Sequence, residues 1–517
     1  MKKNKILYYT LTILTAIIIL FSCKKEVSSR TSELAALVPL QQDSLAGSWK
    51  TILLGRPDTF NVAAPAATNS SSYVAALNEI KGIQQNITAA QQESIQYWAA
   101  GGVLRWNELM RELVAKYNLP PVTDANGVYP IPNAANPFAY PLFPFANPPY
   151  AARAYAYISA AQYDALVACW YYKKLYQRKA PYQIDPQIKA MVPASSLPSY
   201  PSEAAVLAGV TSEMMQLLFP TEVGTIQLKA QSHMLSAMQS GAASRLDVAA
   251  GEQLGRQIAQ VFIARAKADN ASKAVGDPSL WAALENNTIA KGEIPWISRE
   301  NPKRPPMLPL FGKVKPFLFD STTLVSLLPP PPPSTGSEKM KQELKEVADY
   351  VNHPTKANNE LVLFWSDGAG TYTPPGHWNA IAAEDFIKER YSEVRWARNF
   401  ALLNLSMMDA GILCWYTKYY YYNPRPSQLD PSIKTLTGLP NFPAYISGHS
   451  TFSGAASAIL GHLIPSRKAS YESMAADASK SRLVGGLHYK SDCEEGLIAG
   501  RKVGAYAIAR GLMDGGN

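Results

Sequence analysis

The sequence predicts an all-α protein made of two related helical bundles joined by long proline-rich loops. Three observations support this prediction: apolar residues recur at helical spacing, strand-like alternation is scarce, and the chain aligns with itself at a constant offset. The windows with helical spacing are 152–176, 204–218, 251–268, 340–351 and 380–416. The proline-rich connectors are 120–149, 295–316 and 329–333, and the last of these cannot be helical.

The internal repeat is the strongest of these signals. Residues from about 152 align without a gap onto residues from about 397, at an offset of 245 (414 − 169). Over 169–189, 11 of 21 positions are identical to those of 414–434, whereas ordinary residue frequencies give about one or two. Chance does not produce such agreement, so we expect two bundles related by duplication.

The overall composition limits the class of protein. A chain of 517 residues with an apolar fraction of 47% can bury more than one core, which excludes wholesale disorder. The formal net charge of +9 is spread without long basic runs, and part of it lies in the first 25 residues. We therefore expect no nucleic-acid partner, and expect small-molecule substrates instead.

The N-terminus has the pattern of an export signal. Three lysines among the first five residues precede the apolar run Ile6–Phe21, whose 16 residues (21 − 6 + 1) fall short of the roughly 20 that a membrane-spanning helix needs. The run ends in a small residue before Cys23, which resembles the lipobox of bacterial lipoproteins. We expect lipidation at Cys23 and anchoring at the outer membrane of a Gram-negative bacterium, facing the periplasm or the cell surface. The alternative is an ordinary signal peptide with a chance cysteine.

The two copies of the repeat differ selectively. Four polar residues of the second copy stand opposite alanines 180, 204, 237 and 243 of the first, and they are Arg425, His449, Arg482 and His488. Lys418 and Ser447 keep their counterparts Lys173 and Ser202, whereas Gly448 stands opposite Glu203. Residues present in one copy alone are candidates for chemistry. The second copy is therefore predicted to hold an anion that the first copy has lost the means to bind.

These differences suggest a division of the chain into five segments. We predict a signal peptide at 1–22, a polar tether at 23–72, a degenerate N-terminal bundle at 73–290, a proline-rich connector at 291–339 and a catalytic C-terminal bundle at 340–517. Outside the leader no segment is apolar enough to span a bilayer. Three further cysteines, at 169, 414 and 493, are expected to be buried packing residues.

The cationic residues of the second copy suit a tetrahedral oxyanion. Lys418, Arg425 and Arg482 can supply fixed positive charge to its oxygens. Ser447 and Gly448 lead into an apolar helix, whose N-terminal N–H groups favour an anion. Glycine at 448 also lets the backbone approach a ligand closely.

The two histidines complete the predicted site. His488 can address the central atom of the anion as a nucleophile or a ligand. Asp492 follows one helical turn later and can hold the imidazole in one tautomer. His449 is then left to give or take a proton on the opposite side.

The three motifs together resemble the superfamily shared by type 2 phosphatidic acid phosphatases, bacterial acid phosphatases and vanadium-dependent haloperoxidases. The signature of that superfamily is Lys-x6-Arg-Pro, Pro-Ser-Gly-His and Ser-Arg-x5-His-x3-Asp. This chain has Lys418 to Arg425-Pro426, then Ser447-Gly448-His449, then Ser481-Arg482 through His488 to Asp492. The departure is Ile446, which stands where the family usually has proline.

The haloperoxidase branch of the superfamily is the closer resemblance. The length, the two bundles and the stretches 442–445, 451–452 and 364–379 all favour it. The resemblance implies vanadate as cofactor, bound to His488 and held by the residues at 418, 425, 447, 448 and 482. The residue at 449 would assist hydrogen peroxide, and halide would be oxidised.

Two alternatives to a haloperoxidase remain open. In the phosphatases the histidine at position 488 attacks phosphorus and the one at 449 protonates the leaving group, without a cofactor. The chain could equally be such a periplasmic phosphomonoesterase or pyrophosphatase, since the pocket residues are common to both chemistries. A non-catalytic lipoprotein scaffold is the third reading, and the intact motif residues weigh against it.

Two further residues are candidates for contacts behind the pocket. Asp367 either supports an active-site arginine or caps the turn that follows it. His377 lies in a Pro/Gly-rich stretch and is expected in a loop, either near the pocket or bonded to backbone.

Overall fold

The computed structural model describes residues 34–131 and 146–517, and the regular structure in those ranges is helical, with no strand. The all-α prediction is thereby confirmed for the described part of the chain. The predicted signal peptide and Cys23 lie outside the described residues. None of the described helices is long and apolar enough to cross a membrane.

The N-terminal half contains eight helices of nine residues or more among the described residues. They are α1 Ser71–Gln85, α2 Ala89–Ala99, α3 Gly102–Tyr117, α4 Pro148–Tyr176, α5 Glu203–Leu218, α6 Val223–Gln239, α7 Arg245–Lys267 and α8 Pro278–Ala290. The C-terminal half continues with α9 Glu338–Asn352, α10 Lys356–Phe364, α11 Thr373–Glu389, α12 Glu393–Tyr421, α13 Gly448–Leu463, α14 Lys468–Val484 and α15 Lys490–Leu512. Short helical turns, such as Pro181–Ile184 and Pro426–Leu429, lie in the connections.

Helix boundaries in the two halves repeat at the offset found in the sequence. The first residues of α4 and α12 are 245 positions apart, and so are their last residues (393 − 148 and 421 − 176). The starts of α5 and α13, of α6 and α14, and of α7 and α15 are separated by the same number (448 − 203, 468 − 223 and 490 − 245). The two longest helices, α4 and α12, pack against each other and are buried along most of their length.

Segments that precede the bundles are also tied to α4 and α12. The backbone N–H groups of residues 52–54 donate to the buried Asp164 of α4. Those of residues 317 and 318 donate to Asp409, which lies 245 positions later on α12 (409 − 164). Part of the segment expected to be a tether, 23–72, is therefore held on the bundle through residues 52–54.

One expected helical window is interrupted in the structure. The window 380–416 is divided between α11 and α12, because Arg390 takes a left-handed conformation with φ 52° and Ser392 caps the next helix. The expectation of a loop at His377 was also wrong. His377 is the fifth residue of α11, and two prolines occupy positions in the preceding first turn that need no N–H donor.

Helices α13 and α15 meet backbone to backbone at glycines. A Cβ on Gly500 would collide with the carbonyl oxygen of Thr451, and one on Gly454 would lie 2.6 Å from the carbonyl oxygen of Leu497. Helices can approach this closely only where no side chain intervenes. The contact fixes the start of α13 against α15, and there the Ser447 N–H donates to the Asp492 carbonyl oxygen at 2.9 Å.

Replacing Gly500 by alanine should therefore destabilise the C-terminal bundle. The added methyl group must force α13 and α15 apart, which we expect to lower the free energy of unfolding by about 1–3 kcal/mol. Thermal denaturation followed by circular dichroism measures the effect. Gly224→Ala in α6 is the control, since a Cβ there meets nothing within 4 Å. Equal melting temperatures for Gly500→Ala and the wild type would show that this contact is not close-packed.

Candidate active site

The predicted motif residues converge on one cavity of about 680 Å³. Gly448, His449, Arg482 and His488 line it, and Asp367 joins them from the loop between α10 and α11. Aromatic and apolar wall residues include Trp415, Phe442, Phe452 and Leu487. Lys418, Arg425, Ser447 and Asp492 are fully buried and are not among the residues that line it.

His488 is held between an acid and a cation. Its Nδ1 lies 2.9 Å from Asp492 Oδ2, and its Nε2 lies 3.0 Å from Arg425 Nη1. Because arginine only donates, Nε2 must accept, and the ring proton therefore lies on Nδ1 and is donated to the carboxylate. Burial, together with the charges of Arg425 and Lys418, holds the pKa of His488 well below its usual value. The imidazole is neutral and presents a lone pair on Nε2.

Backbone carbonyls orient the two buried cations of the first motif. Arg425 donates from Nε and Nη2 to the carbonyl oxygen of Phe442, and from Nη1 to that of Leu487. Lys418 Nζ donates to the carbonyl oxygens of Pro443 and Ala444 at 2.9 and 2.8 Å. Both cations are therefore fixed by the segment that leads into Ser447.

Burial acts on the pKa values of these groups in opposite senses. It lowers the pKa of Arg425 to about 10, which leaves the guanidinium charged at neutral pH. Burial lowers the pKa of Lys418 and raises that of Asp492, while the opposite charge of each partner counteracts the shift. A negatively charged ligand beside Lys418 would favour its protonated form.

The N-terminus of α13 faces the same cavity. Ser447 caps the helix, and its Oγ accepts from the Ser450 N–H. The N–H groups of Gly448 and His449 lie in the first turn, where no intrahelical acceptor exists. A Cβ on Gly448 would have only one neighbour within 4 Å, Trp415 Cζ3 at 3.8 Å, so the backbone is open to a ligand.

His449 faces an unpaired carboxylate oxygen. Its Nε2 lies 3.8 Å from Asp367 Oδ2, and neither atom has a hydrogen-bond partner. The other oxygen of Asp367, Oδ1, lies 3.0 Å from Nδ1 of His377. Burial and the charge of Arg482 hold the pKa of His449 well below its usual value.

Arg482 brings a third cation to the cavity from the end of α14. Its Nε donates to the Ser481 hydroxyl, and its Nη2 donates to the carbonyl oxygen of Val362 at 3.3 Å. Burial lowers its pKa to about 10, and the charge of Asp367 opposes that shift. The guanidinium therefore remains charged at neutral pH and is available to an anion.

A second cavity, of about 350 Å³, lies at the equivalent place in the N-terminal half. Alanines line it at 180, 204, 237 and 243, together with Lys173 and Glu203. Glu203 Oε2 lies 3.3 Å from Lys173 Nζ, so a carboxylate of the chain pairs with the lysine equivalent to Lys418. The four alanines stand 245 positions before Arg425, His449, Arg482 and His488, so this cavity carries no polar side chain at those four places.

Sequence reasoning missed several residues that shape the site. Asn118, at the end of α3, donates from Nδ2 to the carbonyl oxygens of Gly368 and Thr371 and so anchors the loop that carries Asp367. Arg304, from the connector, lines the cavity and pairs with Glu300 at 3.1 Å. These residues lie far from the motifs in sequence and belong to no repeat or motif that could have indicated them.

Comparison with known proteins agrees with this geometry. Residues 399–511 match the family model described as the PAP2 superfamily. A vanadium chloroperoxidase from Curvularia inaequalis is 33% identical over 124 residues, a match that covers 18% of this chain and 20% of that relative. The chain thus matches about a fifth of the length of this curated relative.

Comparison with solved structures extends over a longer stretch of the chain. A structure described as the first bacterial vanadium-dependent iodoperoxidase has a TM-score of 0.55 at 22% identity, over 70% of this chain and 91% of that one. A holo-type bacterial vanadium-dependent chloroperoxidase has a TM-score of 0.49 at 11% identity, over 76% and 98%. Residues 399–511 thus resemble the PAP2 superfamily in sequence, and the fold of the chain is like that of the vanadium-dependent iodoperoxidase structure.

Proposed function

We propose that this chain is a vanadate-dependent haloperoxidase, which oxidises halide with hydrogen peroxide. The observation that carries the proposal is the line from Asp492 through His488 to Arg425, in which a neutral Nε2 of His488 accepts from a buried cation. Such a nitrogen can ligate a metal centre while the cations neutralise its oxygens. The named relatives are a vanadium chloroperoxidase and a vanadium-dependent iodoperoxidase, which supports the same choice.

The residues present fit vanadate. Arg482 lines the cavity, and Lys418 and Arg425 are buried beside it, against two acids that are each engaged by a histidine. The N-terminal half supplies an internal comparison, since a carboxylate lies against the lysine equivalent to Lys418. An anion is therefore the expected partner for Lys418, where Gly448 stands in place of the glutamate.

Each residue has a defined task in this proposal. His488 would hold vanadate through Nε2, and Asp492 keeps the proton of His488 on Nδ1. The three cations and the N–H groups at the start of α13 would hold its oxygens. Vanadate, when bound, would supply the electrophilic centre at which peroxide becomes reactive towards halide. His449 would accept or return a proton at Nε2.

An acid phosphatase is the second candidate, because the neutral Nε2 of His488 is also suited to attack phosphorus. In that chemistry the same cations stabilise the charge of the transferring phosphoryl group, and His449 protonates the leaving oxygen. A scaffold without activity is the third candidate. All the buried charges of the motif would then be retained at an energetic cost without a ligand.

The proposal is tested by assaying the purified protein with and without vanadate. We expect peroxide-dependent bromination of a dye only when vanadate is added, because the cofactor must first occupy the cavity. Hydrolysis of a chromogenic phosphate ester is measured in parallel. Phosphatase activity that vanadate inhibits would replace the proposal by the second candidate, and the absence of both activities would favour the third.

The origin and location of the protein are further parts of the proposal. The helix boundaries that repeat at 245 residues support an origin of the two halves by duplication. The leader supports export and a lipid anchor at Cys23, on the outer membrane of a Gram-negative bacterium. The N-terminal anchor would then be the only membrane contact, and the substrates would be peroxide and halide.

A further inference from the structure

We propose that His377 is a positioning residue, which acts through Asp367 on His449. It fixes one oxygen of the Asp367 carboxylate, so that the other oxygen faces the Nε2 of His449. The inference rests on the proposed function, since it assumes that His449 exchanges protons during turnover.

The three side chains form a line that leads to the cavity. His377 Nδ1 and Asp367 Oδ1 are 3.0 Å apart, and Asp367 Oδ2 and His449 Nε2 are 3.8 Å apart. Oδ2 and Nε2 are both buried without a partner, so each lacks the hydrogen bond that the other could supply. A shift of about 1 Å would bring them to hydrogen-bond distance. Protonated His449 would then donate from Nε2 to Asp367 Oδ2.

The backbone at Asp367 is held in one conformation. Its backbone has φ 44°, a left-handed conformation that is uncommon for residues other than glycine. The loop that follows is anchored by Asn118, which donates to the carbonyl oxygens of Gly368 and Thr371 and accepts from the Gly370 N–H at 2.6 Å. With the backbone fixed, the orientation of the carboxylate depends on what holds its two oxygens.

His377 is held in place independently of Asp367. Its ring packs against Trp365 at 4.5 Å and against Phe364 at 5.0 Å between centroids. These contacts restrict the ring, so that Nδ1 points to the carboxylate. The packing also raises the alternative that His377 is only a filler of this aromatic cluster, and the test must separate the two roles.

Charged and titratable groups surround the line on several sides. They are Arg482 at the end of α14, His488 before α15, Tyr372 before α11, and His377 itself. The charges of Arg482 and His377 disfavour protonation of His449, whereas the backbone carbonyls of Trp365 and Ser366 favour it. The carboxylate that lies 3.8 Å from Nε2 acts in the same sense as those carbonyls. Loss of that carboxylate should thus move the limb of the pH–kcat profile that reports His449 to lower pH.

Two substitutions separate the hydrogen-bond donor of His377 from the packing of its ring. His377→Phe keeps an aromatic ring against Trp365 but removes the Nδ1–H, whereas His377→Asn keeps an N–H near that position and removes the ring. We expect His377→Phe to lower kcat by about 10- to 100-fold and to shift the limb of the pH–kcat profile that reports His449. His377→Asn should recover most of the activity and the original pH profile. If His377 only fills space, the order is reversed and the Phe variant is the more active.

A double-mutant cycle with Asp367→Asn tests the route of action. If His377 acts through Asp367, His377→Phe should have little further effect in the Asp367→Asn background. Additive losses would overturn the proposal. Vanadate binding to every variant is measured by calorimetry, and we expect the affinity of His377→Phe to stay within about threefold of the wild type.

Failure of this inference can be distinguished from failure of the proposed function. If the wild type neither binds vanadate nor oxidises halide, the proposed function fails. If the wild type does both and His377→Phe retains its kcat and pH profile, only the positioning role of His377 is wrong.

Discussion

Replacement of His488 by alanine is expected to abolish vanadate binding and bromination together. The Nε2 atom of His488 lies 3.0 Å from Arg425 Nη1. The substitution removes this nitrogen, which is the proposed ligand of vanadate, and not merely a group that orients another ligand. A loss of turnover of about a thousandfold or more is expected, as for removal of a residue on which the chemistry depends. Calorimetry with vanadate and the bromination assay measure the two effects.

The chain itself provides reasons to expect that this variant folds. The equivalent position of the N-terminal half is Ala243, which is buried within an intact bundle. Removing His488 also leaves Asp492 with the Tyr489 N–H as a donor to its Oδ2. His353→Ala is the control, because that histidine is exposed at the end of α9. Vanadate binding that survives in His488→Ala at wild-type affinity would refute the assignment of the ligand.

Much of the site was accessible from sequence because its parts are local. His488 precedes Asp492 by four positions, and the structure places Nδ1 and Oδ2 2.9 Å apart, although His488 lies just before α15 and not on it. Ser447 was expected at the entrance of a helix and caps α13. The comparison of the two copies identified Arg425 and Arg482, since alanine in the first copy shows that the fold does not require them.

What sequence did not reveal depends on contacts between distant segments. Asn118 holds the loop of Asp367 from about 250 residues away, and no local pattern reports such a contact. The break between α11 and α12 was missed because the apolar spacing continues across it, although Ser392 is a typical cap. For His377, proline and glycine suggested a loop, whereas prolines at the first helical positions are compatible with a helix start.

Lys418→Met and Lys173→Met form a matched pair that tests whether one half alone binds the anion. Both lysines are buried at equivalent places, but Lys418 donates to backbone carbonyls beside the candidate site while Lys173 pairs with Glu203. Loss of a charged donor to the anion is expected to weaken vanadate binding by about 1.5–3 kcal/mol, roughly 10- to 150-fold, in Lys418→Met. Lys173→Met should bind as the wild type does.

The stoichiometry of binding makes the same test independent of affinity. One vanadate per chain is expected, because Glu203 occupies the place beside Lys173 and alanines replace the other donors. Without vanadate, Lys418→Met should be less thermally stable than the wild type, since it leaves the carbonyl oxygens of Pro443 and Ala444 without their donor. Two bound anions per chain, or equal weakening by the two substitutions, would mean that the N-terminal cavity also binds anions and that its alanines are not a loss of function.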